Sequence, residues 1–150
     1  MWREFIQELK VTAQYPLEMM FTDGVNEKQI QALAEELGVR LPKDLEALLH
    51  ESDGVSDQYG LKIIWSVREI SQYNREMRIL LHYKEIYMSF DDLLFFADAG
   101  NGDRFAFPII DGKVKEQAVF AWDHEDDSRW KVAFSLRSYL ERLLSGKIKL

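Results

Sequence analysis

Apolar residues recur at every third or fourth position in the first third of the chain, a spacing that is typical of amphipathic helices. The pattern predicts three short helices, each with one buried stripe of side chains. The stripe of the first helix consists of Trp2, Phe5, Ile6, Leu9 and Ala13. Because a residue before proline is pushed out of the helical conformation, we expect this helix to end before Tyr15-Pro16.

The second and third helices have recognisable ends. Asn26 and Gln29 have the spacing of a capping box, in which each side chain binds the other residue's backbone. Gly38 then supplies a left-handed stop for the second helix. The third helix opens at Pro42, since proline fits the first turn, and Gly54 follows its end.

The pattern changes to strands later in the chain. Lys62 to Trp65 is the first predicted strand, and Ser66 and Glu69 form a second capping box for a short helix through roughly Arg75. From Leu93 onward we expect a meander of four antiparallel strands. These strands are Leu93 to Ala97, Asp103 to Ile109, Gln117 to Trp122 and Trp130 to Phe134.

Turn residues separate the strands of this meander. The turns are Gly100-Asn101-Gly102, Asp111-Gly112 and an acidic loop after Trp122. The segment Ala118 to Trp122 is apolar on both faces, so we expect helices to cover at least one face of the sheet. Ser135 caps a last helix, and Gly146 lies just past its end.

The length and composition fit one globular domain. At 150 residues the chain is close to the usual domain size of roughly 100 to 200 residues, and we expect one domain over residues 1–150. The absence of cysteine excludes disulfides, thiolate metal sites and thiol nucleophiles. The first residues lack the basic and apolar regions of a secretory signal, and no window approaches about 18 consecutive apolar residues. We therefore expect a cytoplasmic protein that does not enter a membrane.

The charge balance changes the expected partners. The 26 acidic and 19 basic side chains give a formal net charge of −7. This charge repels phosphate backbones, so direct binding of DNA or RNA is disfavoured. It attracts a basic protein partner, although many proteins carry acidic charge only for solubility.

Two polar loops contain the candidate chemistry. Gly100-Asn101-Gly102-Asp103 lacks the spacing of a phosphate-binding loop, so we interpret it as a hairpin turn whose amides donate to Asp103. Asp123-His124-Glu125-Asp126-Asp127 offers oxygen ligands without the spacing of a calcium loop or a zinc protease. The chain also lacks a nucleophile elbow. We predict no cofactor, no metal site and no enzymatic activity; an enzyme that uses the acidic loop is a remote alternative.

Four blocks of sequence occur in an order that is informative together. The blocks are Leu33-x-x-x-Leu37-Gly38-Val39-x-Leu41-Pro42-x-x-Leu45 with His50-Glu51-Ser52-Asp53-Gly54, then Phe95 to Asp103, Val119 to Glu125, and Val132 to Gly146. Over roughly residues 30 to 146 they resemble the SUKH superfamily. The resemblance implies an α+β fold with a mixed, mostly antiparallel sheet flanked by helices, and it adds no catalytic residues.

The resemblance also implies a function. The superfamily includes fungal cell-wall-synthesis regulators and bacterial immunity proteins that bind and neutralise toxins, often nucleases. A compact acidic domain without long disordered flanks is more similar to the immunity proteins. We therefore expect stoichiometric occlusion of a basic nuclease toxin, with a non-enzymatic scaffold or regulatory binding module of the same fold as the alternative.

The candidate contact residues lie at one end of the predicted meander. Alternate turns of a meander lie at the same end of a sheet, which places the Gly100 turn beside the acidic loop. Trp122 and Trp130 flank that loop, and we expect exposed aromatic anchors there. The predicted contact residues are Asp98, Asp103, Trp122, Asp123, Glu125, Asp126, Asp127 and Trp130.

Overall fold

The computed structural model describes residues 1–9 and 17–148 and has the predicted α+β architecture. Its helices are α1 (Trp2–Glu8), α2 (Glu27–Leu37), α3 (Lys43–Glu51), α4 (Val67–Ile79), α5 (Leu81–Ile86) and α6 (Leu136–Leu144). Its strands are β1 (Met19–Phe21), β2 (Val55–Asp57), β3 (Lys62–Ile64), β4 (Leu93–Asp98), β5 (Arg104–Ile110), β6 (Lys113–Val114), β7 (Val119–Trp122) and β8 (Arg129–Ala133). None of the helices described is long and apolar enough to cross a lipid bilayer.

The helix signals in the sequence are confirmed by their caps. Both predicted capping boxes form, at Asn26 for α2 and at Ser66 for α4, and Gly38 ends α2 with a φ of 72°. Helix α4 continues past the predicted end at Arg75 to Ile79. Helix α1 ends at Glu8; the expected stripe residue Ala13 and the expected stop at Tyr15-Pro16 lie outside the described residues.

The predicted meander forms, with its third strand interrupted. The strand order is β4-β5-β7-β8, and the short strand β6 also pairs with β5, so β6 and β7 together occupy the third position. Lys115 N–H donates to Pro108 O on the side of β5 that faces β6. The backbone nitrogen of Pro108 points to that same side, because the N and O of one strand residue face the same neighbour. Because proline has no N–H to return the bond, the ladder breaks there, and β7 begins only at Val119.

A second, smaller sheet was not predicted in full. It has the order β1-β2-β3, and its pairs, like those of the larger sheet, are antiparallel. The sequence predicted β3 but not β1 or β2, which are three residues each. The two sheets meet where Trp65 N–H donates to Phe96 O at 2.7 Å.

Aromatic side chains cover both faces of the larger sheet. On one face Tyr139 of α6 packs edge-on against Phe96 and Phe105, and its hydroxyl donates to Ile63 O at 2.9 Å. On the other face Tyr87 and Phe90 contact the Trp122 ring. Burial on both faces explains why the segment ending at Trp122 is apolar throughout.

The outer edge of β4 is closed by one buried side chain. Asn74 of α4 is 1% exposed, and its Nδ2 donates to Ile70 O and Phe95 O, each at 2.8 Å. Its Oδ1 accepts from Phe95 N–H at 2.9 Å. Edge strands have unpaired backbone groups that are costly to bury, and Asn74 pairs both of those on Phe95. This contact fixes α4 against the sheet.

Substituting Asn74 with leucine tests this contact. Asn74→Leu leaves the N–H and C=O of Phe95 without partners in the core, and each buried unsatisfied group costs about 1–3 kcal/mol. We expect the free energy of unfolding to fall by about 2–4 kcal/mol, measured by urea denaturation. Gln72→Leu, on the exposed face of the same helix, is the control and should change stability by about 0.5 kcal/mol or less. Equal losses in the two variants would contradict the assignment.

Candidate functional site

The two polar loops meet at one end of the larger sheet, as the meander topology predicts. Arg104 at the start of β5 pairs with Trp122 at the end of β7, which brings the Gly100 turn beside residues 123–128. Asp103 Oδ1 lies 2.6 Å from His124 Nδ1 and also accepts the His124 backbone N–H at 3.1 Å. The Asp103–His124 contact therefore joins the two loops directly.

Asp103 faces inward, which corrects its predicted role as a contact residue. The residue is 4% exposed, and its carboxylate accepts from His124 and from the Asn101 side-chain amide at 3.2 Å. Its own N–H donates to Asn101 Oδ1 at 3.0 Å. A buried carboxylate needs such partners, and through them Asp103 organises the two loops.

Gly102 allows the imidazole of His124 to approach the turn. Its φ of 98° is a conformation that residues with a Cβ rarely adopt. A Cβ at this position would also lie 2.9 Å from His124 Cε1. The sequence predicted a hairpin turn here, whereas it did not predict the close approach of the histidine.

Trp122 is buried, so the expectation that it is an exposed anchor is wrong. It is 3% exposed because the segment containing Tyr87 and Phe90 covers its ring. Its indole Nε1–H donates to Asp127 Oδ1 at 2.7 Å. Trp130 pairs with Ala121, so the pleat directs it to the opposite face, where it is half-buried against the core.

Asp127 is also used inside the protein. Besides the bond from Trp122, its Oδ2 accepts Met88 N–H at 2.9 Å, and its Oδ1 lies 3.2 Å from Arg129 Nη2. The residue adopts a φ of 61°, an uncommon conformation that these contacts stabilise. Asp127 thus fixes the acidic loop to the chain before β4, and its charge is largely balanced by Arg129.

The outward-facing carboxylates are Glu125 and Asp126, with Asp123 half-buried beside them. Asp123 Oδ1 accepts Glu125 N–H at 2.8 Å, and Asp126 Oδ1 accepts Ser128 Oγ–H and N–H at 2.6 and 2.9 Å. The hydrogen bonds from Ser128 lower the pKa of Asp126 below its ordinary value. Loop geometry therefore orients these charges outward.

Asp98, like Asp127, is paired with an arginine. It ends β4 and is half-exposed, and its Oδ1 lies 3.7 Å from Arg104 Nε. Arg104 also lies over the rings of Trp65 and Tyr73. The structure thus pairs Asp98 with a cation, which reduces its contribution to an acidic surface.

Three side chains come close enough to be considered for a metal. Each of Asp103, Asp123 and His124 offers one ligand atom, and these three atoms lie within 4.8 Å of one another. The 2.6 Å distance between Asp103 and His124 is that of a charge-assisted hydrogen bond, which accounts for the arrangement. We assign this group a structural role.

A comparison with protein families identifies the fold. The family model SUKH_6, described as SMI1-KNR4 cell-wall, matches residues 27–140. The chain belongs to the SUKH family. A search of curated proteins found no match. Membership of the SUKH family confirms the resemblance drawn from the four sequence blocks and is consistent with a toxin-immunity role.

The sequence did not indicate the segment that supports the acidic loop of this SUKH protein. Tyr87 donates its hydroxyl to His124 O at 2.7 Å, and Arg129 donates to Met88 O and Ser89 O. The spacing of Tyr83 and Tyr87 is helical, and it is the signal that could have indicated α5. No sequence signal indicated that this segment crosses to the loop after β7.

The Asp103–His124 contact makes the junction sensitive to pH. The hydrogen bond to Asp103 raises the pKa of His124 above its ordinary value of 6.5. A raised pKa in the folded state contributes stability that is fully present below the unfolded pKa. That contribution is lost as the pH rises through the raised value.

Removing the imidazole tests this linkage. We expect His124→Gln to be less stable than the parent protein, and the difference to be largest below pH 6.5 and smaller as the pH rises above the His124 pKa. Urea denaturation between about pH 5.5 and 8.5, which spans the usual range of histidine pKa values, measures this difference. His82→Gln, at an exposed position of α5, is the control for the loss of a histidine elsewhere. A difference independent of pH would mean that His124 contributes by packing alone.

Proposed function

We propose that this SUKH protein binds and neutralises a cognate bacterial toxin by covering its active cleft in an equimolar complex. Family membership supports a binding role, and the acidic net charge favours a basic partner such as a nuclease domain. The observation that carries the proposal is the acidic loop, in which inner contacts fix the backbone while Glu125 and Asp126 face outward.

The electrostatics of this loop suit recognition of a phosphate-binding cleft. Such a cleft is basic, and carboxylates that occupy it replace the phosphates. Charges within a Debye length of about 8 Å at physiological salt act together, whereas an isolated exposed charge contributes little. Glu125, Asp126 and Asp123 are close in one short loop and therefore attract a basic partner as a group.

The same site offers little support for catalysis. Among residues 1–9 and 17–148, no hydroxyl group hydrogen-bonds to His124 Nε2, and the imidazole packs against Gly102. Nucleophilic catalysis by a histidine needs a nucleophile within hydrogen-bond reach. Occlusion requires only a complementary surface, and this arrangement supports occlusion more directly.

A regulatory or scaffold protein is the second candidate function. The matching family model carries a cell-wall description, which fits the cell-wall-synthesis regulators of the superfamily. The two functions differ in genetic context and in outcome. A neighbouring gene for a large toxin whose activity this chain blocks supports immunity, whereas binding without inhibition supports a scaffold.

Inhibition of the toxin should be stoichiometric. We expect the activity of the neighbouring gene's toxin domain to fall linearly with added protein and to reach zero near a molar ratio of one, because each complex covers one active site. A nuclease assay at toxin concentrations well above the dissociation constant measures this ratio. Complete inhibition at strongly substoichiometric amounts, with chemical change in the toxin, would show an enzyme instead.

Neutralising the outward-facing carboxylates should slow association. We expect Glu125→Gln/Asp126→Asn to reduce the association rate about tenfold at low salt, with a flatter salt dependence and little change in stability. Asp127 is left intact because of its bonds to Trp122 and Met88. Stopped-flow binding measures the rate.

A matched control carries the same change in charge elsewhere. Glu35→Gln/Asp44→Asn removes two exposed carboxylates from α2 and α3. If both double variants slow association equally, net charge and not the acidic loop accounts for the effect.

A further inference from the structure

Two large apolar side chains are exposed beside the acidic loop. Ile86 is 67% exposed and Met88 is 65% exposed, and they flank Tyr87, whose ring faces inward against Trp122. Exposure of adjacent apolar residues costs free energy in an isolated protein, and such patches mark interaction sites. This pair is therefore a candidate contact surface.

The backbone of this segment is fixed to the acidic loop. Met88 N–H donates to Asp127 Oδ2 at 2.9 Å, and Met88 O accepts from Arg129 Nη2 at 3.1 Å. Tyr87 adds the bond to His124 O. Both backbone groups of Met88 are thus paired with residues of the loop or of β8, which holds this segment against the acidic loop.

A cleft adjoins Met88 on its other side. It has a volume of about 310 Å³, and its lining combines the aromatic residues Tyr83, Tyr87 and Phe90 with the charged residues Arg78, Lys84 and Asp91. Aromatic walls beside a projecting apolar side chain give a surface with both a protrusion and a depression. Interface centres that contribute most to affinity commonly have this shape.

The charges around the apolar pair are mainly acidic. Glu85, Asp91 and Asp92 are exposed on the same segment, and Lys84 is the exposed cation among residues 84–92. Arg129 is 13% exposed, and its guanidinium is engaged by Asp92 and Asp127. The pair is therefore bordered by negative charge from its own segment and from the acidic loop.

We propose that Ile86 and Met88 form the apolar centre of the protein's partner-binding surface, with the acidic side chains of their own segment and of the acidic loop as its rim. The partner that fits is a basic protein with an apolar depression within its positive surface. This inference rests on the proposed function and assigns to Ile86 and Met88 the anchor role that the sequence analysis had given to Trp122 and Trp130. Apolar burial slows dissociation, whereas the acidic rim accelerates association.

The charges of the rim disfavour the other occupants. A second copy related by a two-fold axis would place acidic rim against acidic rim, which is repulsive. An anionic lipid surface or a nucleic acid would meet the same repulsion. A basic protein is the occupant for which both the apolar centre and the rim contribute favourably.

Dissociation rates test the apolar centre. The probe is the purified C-terminal domain of the neighbouring gene's product, immobilised for biolayer interferometry. We expect Met88→Ser to raise the dissociation rate about tenfold and Ile86→Ser/Met88→Ser about a hundredfold, with association rates nearly unchanged. Met20→Ser is the matched control, because Met20 is 47% exposed on β1, and it should dissociate like the parent protein.

A second measurement reports contact without mutation. The chain contains 5 methionines, so methyl-labelled methionine gives a simple spectrum in which the Met88 and Met20 signals are assigned by substitution. On adding the unlabelled toxin domain, we expect the Met88 signal to shift and the Met20 signal to stay in place. Far-ultraviolet circular dichroism confirms that the serine variants are folded.

The outcomes separate this inference from the function it rests on. If the parent protein does not bind the toxin domain, the proposed function fails. If the parent binds but the Ile86 and Met88 variants dissociate at its rate and the Met88 signal does not shift, the function stands and this surface is wrong.

Discussion

The packing of α4 on the larger sheet depends on one constraint, the need to pair the backbone of β4 where this edge strand is buried. Asn74 satisfies the N–H and C=O of Phe95, and Trp65 N–H satisfies the next carbonyl, that of Phe96. The register between β4 and β5 shifts between Phe95 and Ala97, so the two strands do not form a regular ladder there. An edge closed by a helix side chain and by the end of β3 is also protected from pairing with another chain.

This constraint links the core to the candidate surface. Asn74 positions α4, and α5 begins directly after α4. The contact between Asn74 and Phe95 therefore also positions the segment that carries Tyr87 and Met88. Arg129 completes the connection by donating to the backbone of that segment from β8. The candidate surface is therefore assembled from the segment that follows α4 and from β8, which is distant in sequence, and its geometry depends on the packing between them.

The sequence predicted features that depend on neighbouring residues better than features that depend on residues distant in the chain. Capping boxes and glycine stops are local, and those at Asn26, Ser66 and Gly38 were predicted correctly. Strands β1 and β2 are too short to show a pattern and exist because they pair with one another. The break after β6 arises from Pro108 on a neighbouring strand, which no pattern within residues 113–122 could indicate.

The candidate site shows the same limit in its chemistry. The sequence located both loops, and the predicted topology indicated that they meet. The sequence could not show which carboxylates accept hydrogen bonds from inside the protein. Asp103 and Asp127 have the same type of side chain as Asp126, and only the folded structure distinguishes buried acceptors from exposed ones. Trp122 was placed on the surface for the same reason, since the segment that covers it lies far away in the sequence.

The division between inner and outer carboxylates has a consequence for how such a surface can change. Asp103 and Asp127 stabilise the loop, so their replacement affects the fold. The side chain of Asp126 bonds only to Ser128 within the loop, and that of Glu125 faces outward. The outward residues of such a binding surface can be substituted at little cost in stability, because exposed substitutions rarely change the free energy of unfolding by more than about 0.5 kcal/mol. Specificity for one partner can then vary while the inner contacts preserve the geometry, which is the requirement for a protein that must match a variable target with a constant fold.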